Sequence, residues 1–254
     1  TMSHDQRKAK VKEVVEQYIR EELGDLEGQS PRFRYLFRRL CQSVELVVQN
    51  VVEELEHSHF QPISFELGFG DGKALPPVEL TVDGVTLSIS GIVDRVDGWA
   101  ENGRLYLRVV DYKTGKKAFD LADVRYGLGI QMLLYLFALR RYGGSYFGAE
   151  VEPAGVLYVP ARDVVKRADR AIPPDKLEKQ LRDELRRTGM LLSDPEVLCA
   201  MEHSALEKPC YLPIAVKDGQ AKGLAAGVLA DAEQMGKMGR YVDSLLRQAA
   251  RMLW

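Results

Sequence analysis

The stretch GIVDRVDGWAENGRLYLRVVDYKTGKKAFDLADVRYGLGIQMLLY, from Gly91 to Tyr135, decides how the rest of the chain is read. It predicts two strands and then a helix. The first run, residues 86–96, is apolar and β-branched until Asp94. The second, residues 104–112, alternates Leu105, Leu107 and Val109 before reaching Val110-Asp111-Tyr112-Lys113. Between them Asp97-Gly98 and Asn102-Gly103 offer turn chemistry, because Gly and Asn tolerate positive φ. Asp97, directly before Gly98, is read as a turn residue.

Residues two apart on a strand point the same way, so Asp111 and Lys113 share a face and Tyr112 turns to the other. An antiparallel neighbour brings Asp94 beside them. Two carboxylates and an ammonium at a strand end suit a divalent cation plus a phosphate. Asp94, Asp111 and the main-chain carbonyl of Tyr112 are hard oxygen donors of the kind Mg²⁺ takes, with water in the remaining positions. Lys113 then orients the attacking water or holds a phosphate oxygen. Gln131 and Tyr135, one turn apart on the following helix, face the same cleft. A buried amide at Gln131 must find partners.

A chain of 254 residues with 46% apolar content can bury a substantial core as one domain. No apolar run is long enough to cross a bilayer, and no secretory signal opens the sequence. Cys41, Cys199 and Cys210 are odd in number and widely spaced, which argues against a disulfide framework and fits a reducing cytoplasm. They are expected to be small buried hydrophobes. The net charge of −2 does not advertise nucleic-acid binding. Basic residues nevertheless cluster at Arg7-Lys8-Lys10-Lys12, at Arg32-Arg34-Arg38-Arg39 and at Lys113-Lys116-Lys117.

Outward from the hairpin, helices are predicted over residues 5–23 and 31–57. The second begins at Ser30-Pro31 and carries a stripe of Tyr35, Phe37, Leu40, Val44, Val47, Val48, Val51 and Leu55. Its basic start reads as a solvated face. Glu66 lies in an extended segment, 63–69, and Leu75-Pro76-Pro77 is a rigid connector. Strands at 78–82 and 85–96 meet at Asp83-Gly84. A short helix is expected over 121–126, then a central one over 128–142 with a stripe of Leu133, Leu134, Leu136, Phe137 and Leu139, ended by Gly143-Gly144. A strand follows at 150–160, and a charged loop or arm at 162–170. A helix over 174–188 is closed by Gly189, and Ser193-Asp194-Pro195 starts another to about 201. A strand at 211–216 precedes a last helix over 224–254. That helix has no glycine or proline stop, and points to a piece of a longer chain.

The motifs G-I-V-D-R-V-D, V-V-D-Y-K-T-G and Y-G-L-G-I-Q-M-L-L-Y-L together resemble the RecB-type branch of the PD-(D/E)XK nucleases. Within it they are similar to the C-terminal nuclease domain of the AddB type found in bacterial helicase–nucleases. The likeness covers nearly the whole chain, and includes Phe60–Gly70 and Glu152–Tyr158. It implies an α/β fold with a restriction-endonuclease-like core, a mixed central sheet flanked by helices. The chain is expected to divide into N-terminal helices (5–58), a catalytic sheet with its motif helix (60–160) and a helical and strand extension (161–254). The resemblance makes Asp94 and Asp111 metal ligands, Lys113 the motif lysine, Glu66 the upstream acid, and Gln131 and Tyr135 the helix motif. It also implies Mg²⁺ or Mn²⁺, an AddA-like helicase–nuclease partner and a single DNA strand as substrate. An iron–sulfur cluster is expected in the full-length family, but its cysteine pattern is absent from this sequence. So is the family's upstream metal-binding histidine; His4, His57, His59 and His203 are assigned to no metal.

The leading expectation is a Mg²⁺-dependent DNA exonuclease domain acting on strands from a helicase during double-strand-break repair by recombination. Two others stand beside it: a catalytically silent scaffold or DNA-guiding module of the same fold, and a phosphoesterase for small nucleotides.

Overall fold

A computed structural model describes residues 2–24, 28, 30–116, 118–162 and 173–252. At its centre β4 (Gly91–Glu101) and β5 (Arg104–Lys113) pair antiparallel. Their turn is Asn102-Gly103, with φ of 51° and 77°. Two successive positive φ values let a two-residue loop follow the right-handed strand twist. The alternative turn at Asp97-Gly98 does not form. β4 runs straight through it, and Asp97 is completely buried.

Six strands make the main sheet in the order β1-β4-β5-β6-β7-β10, with β1 (Gln61–Phe69), β6 (Glu150–Pro160), β7 (Thr188–Leu192) and β10 (Leu229–Ala230). β5–β6 and β7–β10 are parallel and the other neighbours antiparallel, which gives the mixed sheet expected. A parallel pair needs a long crossover. Here α3 (Leu121–Arg125) and α4 (Gln131–Phe147) supply it.

Several boundaries differ from those read in the sequence. The strand expected over 85–96 divides: β2 (Val78–Val82) and β3 (Val85–Ile89) form a separate hairpin, and the main sheet resumes at Gly91. α4 starts at Gln131, passes through Gly143-Gly144 and stops at Gly148, whose φ is 70°. At Gly143 a Cβ would lie 3.3 Å from Val151 Cγ2, a tight fit between α4 and β6. α5 (Pro174–Leu185) ends early, and Gly189 sits inside β7, where a Cβ would fall 1.9 Å from the Val156 carbonyl oxygen. Close strand approach, not a helix stop, explains that glycine. α6 (Pro195–Met201) starts as predicted, capped by Asp194. β8 (Ile214–Lys217) and β9 (Gln220–Gly223) form a small hairpin, and α7 (Ala232–Met252) begins later than expected. The arm expected at 162–170 lies outside the described residues except for Arg162.

One face of the sheet packs Leu107, Val109 and Val156 against Leu133, Leu136 and Leu139 of α4, with α7 beyond. The other packs Val110, Leu157, Val159 and Leu191 against Leu198 and Met201 of α6. α1 (His4–Leu23) and α2 (Pro31–Glu56) pack on each other, and the C-terminal end of α2 reaches the second face of the sheet through Val51 and Glu54. Tyr35, Leu36 and Leu40, near the start of α2, are exposed. The first basic cluster is balanced by acids, with Arg7–Glu56 at 3.8 Å, Lys8–Glu45 at 3.5 Å and Lys10–Glu13 at 2.6 Å.

Candidate active site

The ladder pairs Arg95 with Val110, so its next step sets Asp94 of β4 opposite Asp111 of β5. Lys113, two residues on, places Nζ 2.6 Å from Asp111 Oδ2. Asp94 Oδ2 accepts the Tyr112 main-chain N–H at 3.1 Å. The N–H and C=O of one strand residue leave by the same edge, so the Tyr112 carbonyl also faces the β4 side, past the end of the ladder. Burial pushes the Asp111 carboxyl above its ordinary range; Lys113 pulls it down, and the neighbouring Asp94 pushes it up again. Tyr158, paired with Asp111 across β5–β6, has its phenol pushed up to about 12 by burial and then by that carboxylate.

Glu66 falls between the pairs Phe65↔Arg95 and Leu67↔Val93, across from Asp94. Its φ of 48° is left-handed, a sparsely populated state for a non-glycine residue in a strand. The side chain is exposed, and among the described residues no hydrogen bond or ion pair ties it to Asp94, Asp111 or Lys113. Backbone register thus brings Glu66 to the site while its carboxylate stays outside the contacts of the other three.

Gln131 opens α4 and donates through Nε2 to the Tyr135 hydroxyl at 2.6 Å, so the two meet as the one-turn spacing requires. Gln131 is exposed, however, not the buried amide expected; the later helix start leaves it on the first turn. Tyr135 is buried and packs edge-on to Phe69, ring centroids 5.2 Å apart. A Cβ at Gly91 would meet Phe69 Cζ at 2.8 Å and Tyr135 Cε1 at 2.9 Å. The glycine opening the motif therefore admits two aromatic rings over the strand that carries Asp94.

Sequence reasoning missed the reverse face of the same strands. Arg95, Asp97, Arg108, Glu54 and Arg187 are all at most 1% exposed. Asp97 takes Arg95 Nε at 2.9 Å and Arg108 Nε at 2.8 Å; Glu54 takes Arg108 Nη2 at 3.1 Å and Arg187 Nη2 at 2.6 Å. Burial opposes the charge on Glu54 most strongly, yet Arg187, Arg108 and Arg95 outweigh it and hold the carboxyl below its usual range. Arg95 Nη1 also donates to the Tyr112 hydroxyl at 2.6 Å. The side chain of Tyr112, turned away from Asp111 as predicted, thereby anchors the residue whose backbone N–H holds Asp94. The available signal was Arg95, Asp97 and Arg108 at inward positions of otherwise apolar strands, where charges must be paired.

The donor set fits a hard divalent cation. Two carboxylates oppose each other with one lysine as their counter-ion, and a main-chain carbonyl faces the same edge. Among the described residues no three His, Cys, Asp or Glu side chains group closely enough to hold a metal by themselves. Mg²⁺ does not require such a group: it is held through one or two carboxylates and keeps several waters. Cys41, Cys199 and Cys210 are free thiols, half-buried where burial was expected.

A family-wide comparison matches residues 2–251 to the PD-(D/E)XK nuclease superfamily. Among curated proteins, the B-type subunit of the ATP-dependent helicase/deoxyribonuclease of Ruminiclostridium cellulolyticum is 34% identical over 239 residues, 93% of this chain and 20% of that protein. The proteins of the same description from Acetivibrio thermocellus and Exiguobacterium sibiricum are 34% and 32% identical over 94% and 95% of this chain, and 21% of each relative. The chain thus spans about a fifth of the length of these relatives. With the motif hairpin, the mixed sheet and the match along nearly its whole length, the chain belongs to the PD-(D/E)XK nuclease superfamily.

Proposed function

We propose that this chain is a Mg²⁺-dependent deoxyribonuclease module, an exonuclease that hydrolyses phosphodiester bonds of a DNA strand delivered by a helicase partner during recombinational repair of double-strand breaks. One observation carries the reading: Asp94 and Asp111 oppose each other across two strands with the Lys113 ammonium 2.6 Å from Asp111. Two adjacent carboxylates with a single ammonium are short of positive charge, which a divalent cation supplies. Bound there, Mg²⁺ would lower the pKa of a coordinated water and offset charge on the phosphorane. Asp94, oriented by the Tyr112 N–H, and Asp111 would hold the cation, helped by the Tyr112 carbonyl. Lys113, released from Asp111, turns its ammonium to the attacking water or a phosphate oxygen. The water oxygen bonds to phosphorus and gives up a proton as one ester P–O bond breaks, and the departing oxygen takes up a proton in its turn, leaving a phosphate monoester and a free hydroxyl. Gln131 and Tyr135, joined by their hydrogen bond, approach the strand that carries Asp94 at Gly91, and the backbone at Glu66 brings a third acid alongside it.

Asp111→Ala and Lys113→Ala in the complete helicase–nuclease test this. Loss of Mg²⁺-dependent cleavage by about 10³-fold is expected for the ligand variant; full activity in either refutes the assignment. The Glu66 carboxylate, exposed and outside the contacts of the other three groups, favours a second reading, a silent DNA-guiding scaffold. Saturable Mn²⁺ binding by the intact protein, abolished in Asp94→Asn, excludes that scaffold.

A further inference from the structure

A cleft of about 380 Å³ opens beside Lys113, at the carboxyl ends of the parallel strands β5 and β6. The Ala161 N–H closes onto the Lys113 carbonyl at 2.8 Å and marks where the two strands end together. Ligands in open α/β sheets sit outside such strand ends. The cleft is lined by Lys113, Lys116, Arg162 and Arg186 against two acids, Asp183 and Glu184. With Lys113 paired to Asp111, the other three cations still outnumber the two acids, in a chain of net charge −2. The Glu184 carboxylate takes Arg162 Nη2 at 2.7 Å and Lys116 Nζ at 3.5 Å through the same oxygen, Oε2. Arg186 donates to the Leu212 and Ile214 carbonyls at 3.3 and 3.0 Å and lies 3.5 Å from Asp183 Oδ1.

A guanidinium and an ammonium converging on one oxyanion are the donor pair that holds a phosphate. Nucleic-acid grooves carry this chemistry, and their affinity falls with salt. We propose that this cleft binds the DNA phosphodiester next to the scissile one, and that Glu184 is a resident anion which that phosphate displaces from Arg162 and Lys116. The proposal rests on the nuclease reading for the identity of its ligand. It adds the strand's path away from Asp111 and a built-in competitor for the same cations. A short strand then binds weakly by itself and is held once its local concentration is high.

The test uses the full-length polypeptide, EDTA in place of metal, and a fluorescein-labelled oligothymidine short enough to occupy one cleft. Anisotropy is read across a KCl series. Arg162→Gln with Lys116→Gln is expected to weaken binding about tenfold and to lower the slope of log affinity on log salt by about 0.7 per cation removed. Glu184→Gln is expected to act in the opposite direction and tighten binding about threefold. Lys116→Gln alone, at a side chain 77% exposed, keeps the test independent of folding. Unchanged affinity and slope in the double variant, or weaker binding in Glu184→Gln, overturns the proposal. Because no metal is present, this result is separable from the nuclease reading, which fails instead if Asp111→Ala still cleaves.

Discussion

The two faces of β4 and β5 carry similar groups with opposite charge balance. On the front, two carboxylates, Asp94 and Asp111, share one ammonium at the end of the ladder. Behind them, three guanidiniums meet two carboxylates in a layer closed to water. The buried layer sets its charges against one another, each guanidinium within ion-pair distance of a carboxylate. The open one is short of positive charge. The difference teaches that Asp94 and Asp97, three residues apart, cannot be ranked by residue type. Strand alternation leaves Asp94 half-buried beside Asp111 and sends Asp97 into the interior.

Breaking the back layer should have the largest effect. Asp97→Ala strips both Arg95 and Arg108 of a partner, and uncompensated buried charge costs about 3–5 kcal/mol. Urea unfolding should show this loss; a change below about 1 kcal/mol would mean the layer is hydrated. Coupling between the faces comes next. Tyr112→Phe removes the hydroxyl that accepts from Arg95 while keeping the ring, and Mn²⁺ affinity at the proposed site should fall about 10- to 100-fold, the size expected on losing the support of a metal ligand. Unaltered affinity in calorimetric titration would make the two faces independent.

Gly91→Ala should cost about 1–3 kcal/mol by overpacking Phe69 and Tyr135, read as a lower denaturation midpoint. A neutral result would show that those rings yield freely. The smallest effect concerns Asp111→Asn without metal. Because the Asp111 pKa is raised, above all by burial, the folded state binds its proton more tightly than the unfolded state. Its ionised form therefore detracts from stability above the raised pKa, and this penalty fades as pH falls toward the ordinary value of 3.8. The variant should melt slightly higher than wild type at neutral pH, with the gap closing in acid. A gap that widens in acid contradicts the sign.

Much of the fold was legible because period and punctuation are local. The alternation Leu105, Leu107, Val109, the Asn102-Gly103 turn and the apolar run of β6 mark strands without tertiary help. Gly189 misled because a glycine needed for close strand approach looks like one that stops a helix. Its reason, the Val156 carbonyl, is 33 residues away in sequence. Likewise Gly143-Gly144 read as a stop although α4 continues over them to pack closely on β6.

For the site, spacing alone determined that Asp111 and Lys113 share a face, that Tyr112 opposes them and that Gln131 reaches Tyr135, because these follow from the periods of strand and helix. Only the tertiary structure decided the rest. Register set Asp94 opposite Asp111, a left-handed backbone turned Glu66 to the edge, and docking of α2 and β7 assembled Glu54, Asp97 and three arginines behind the sheet. Long-range pairing carries no local period. Whether a charge on a strand meets water or a counter-ion depends on what covers that face.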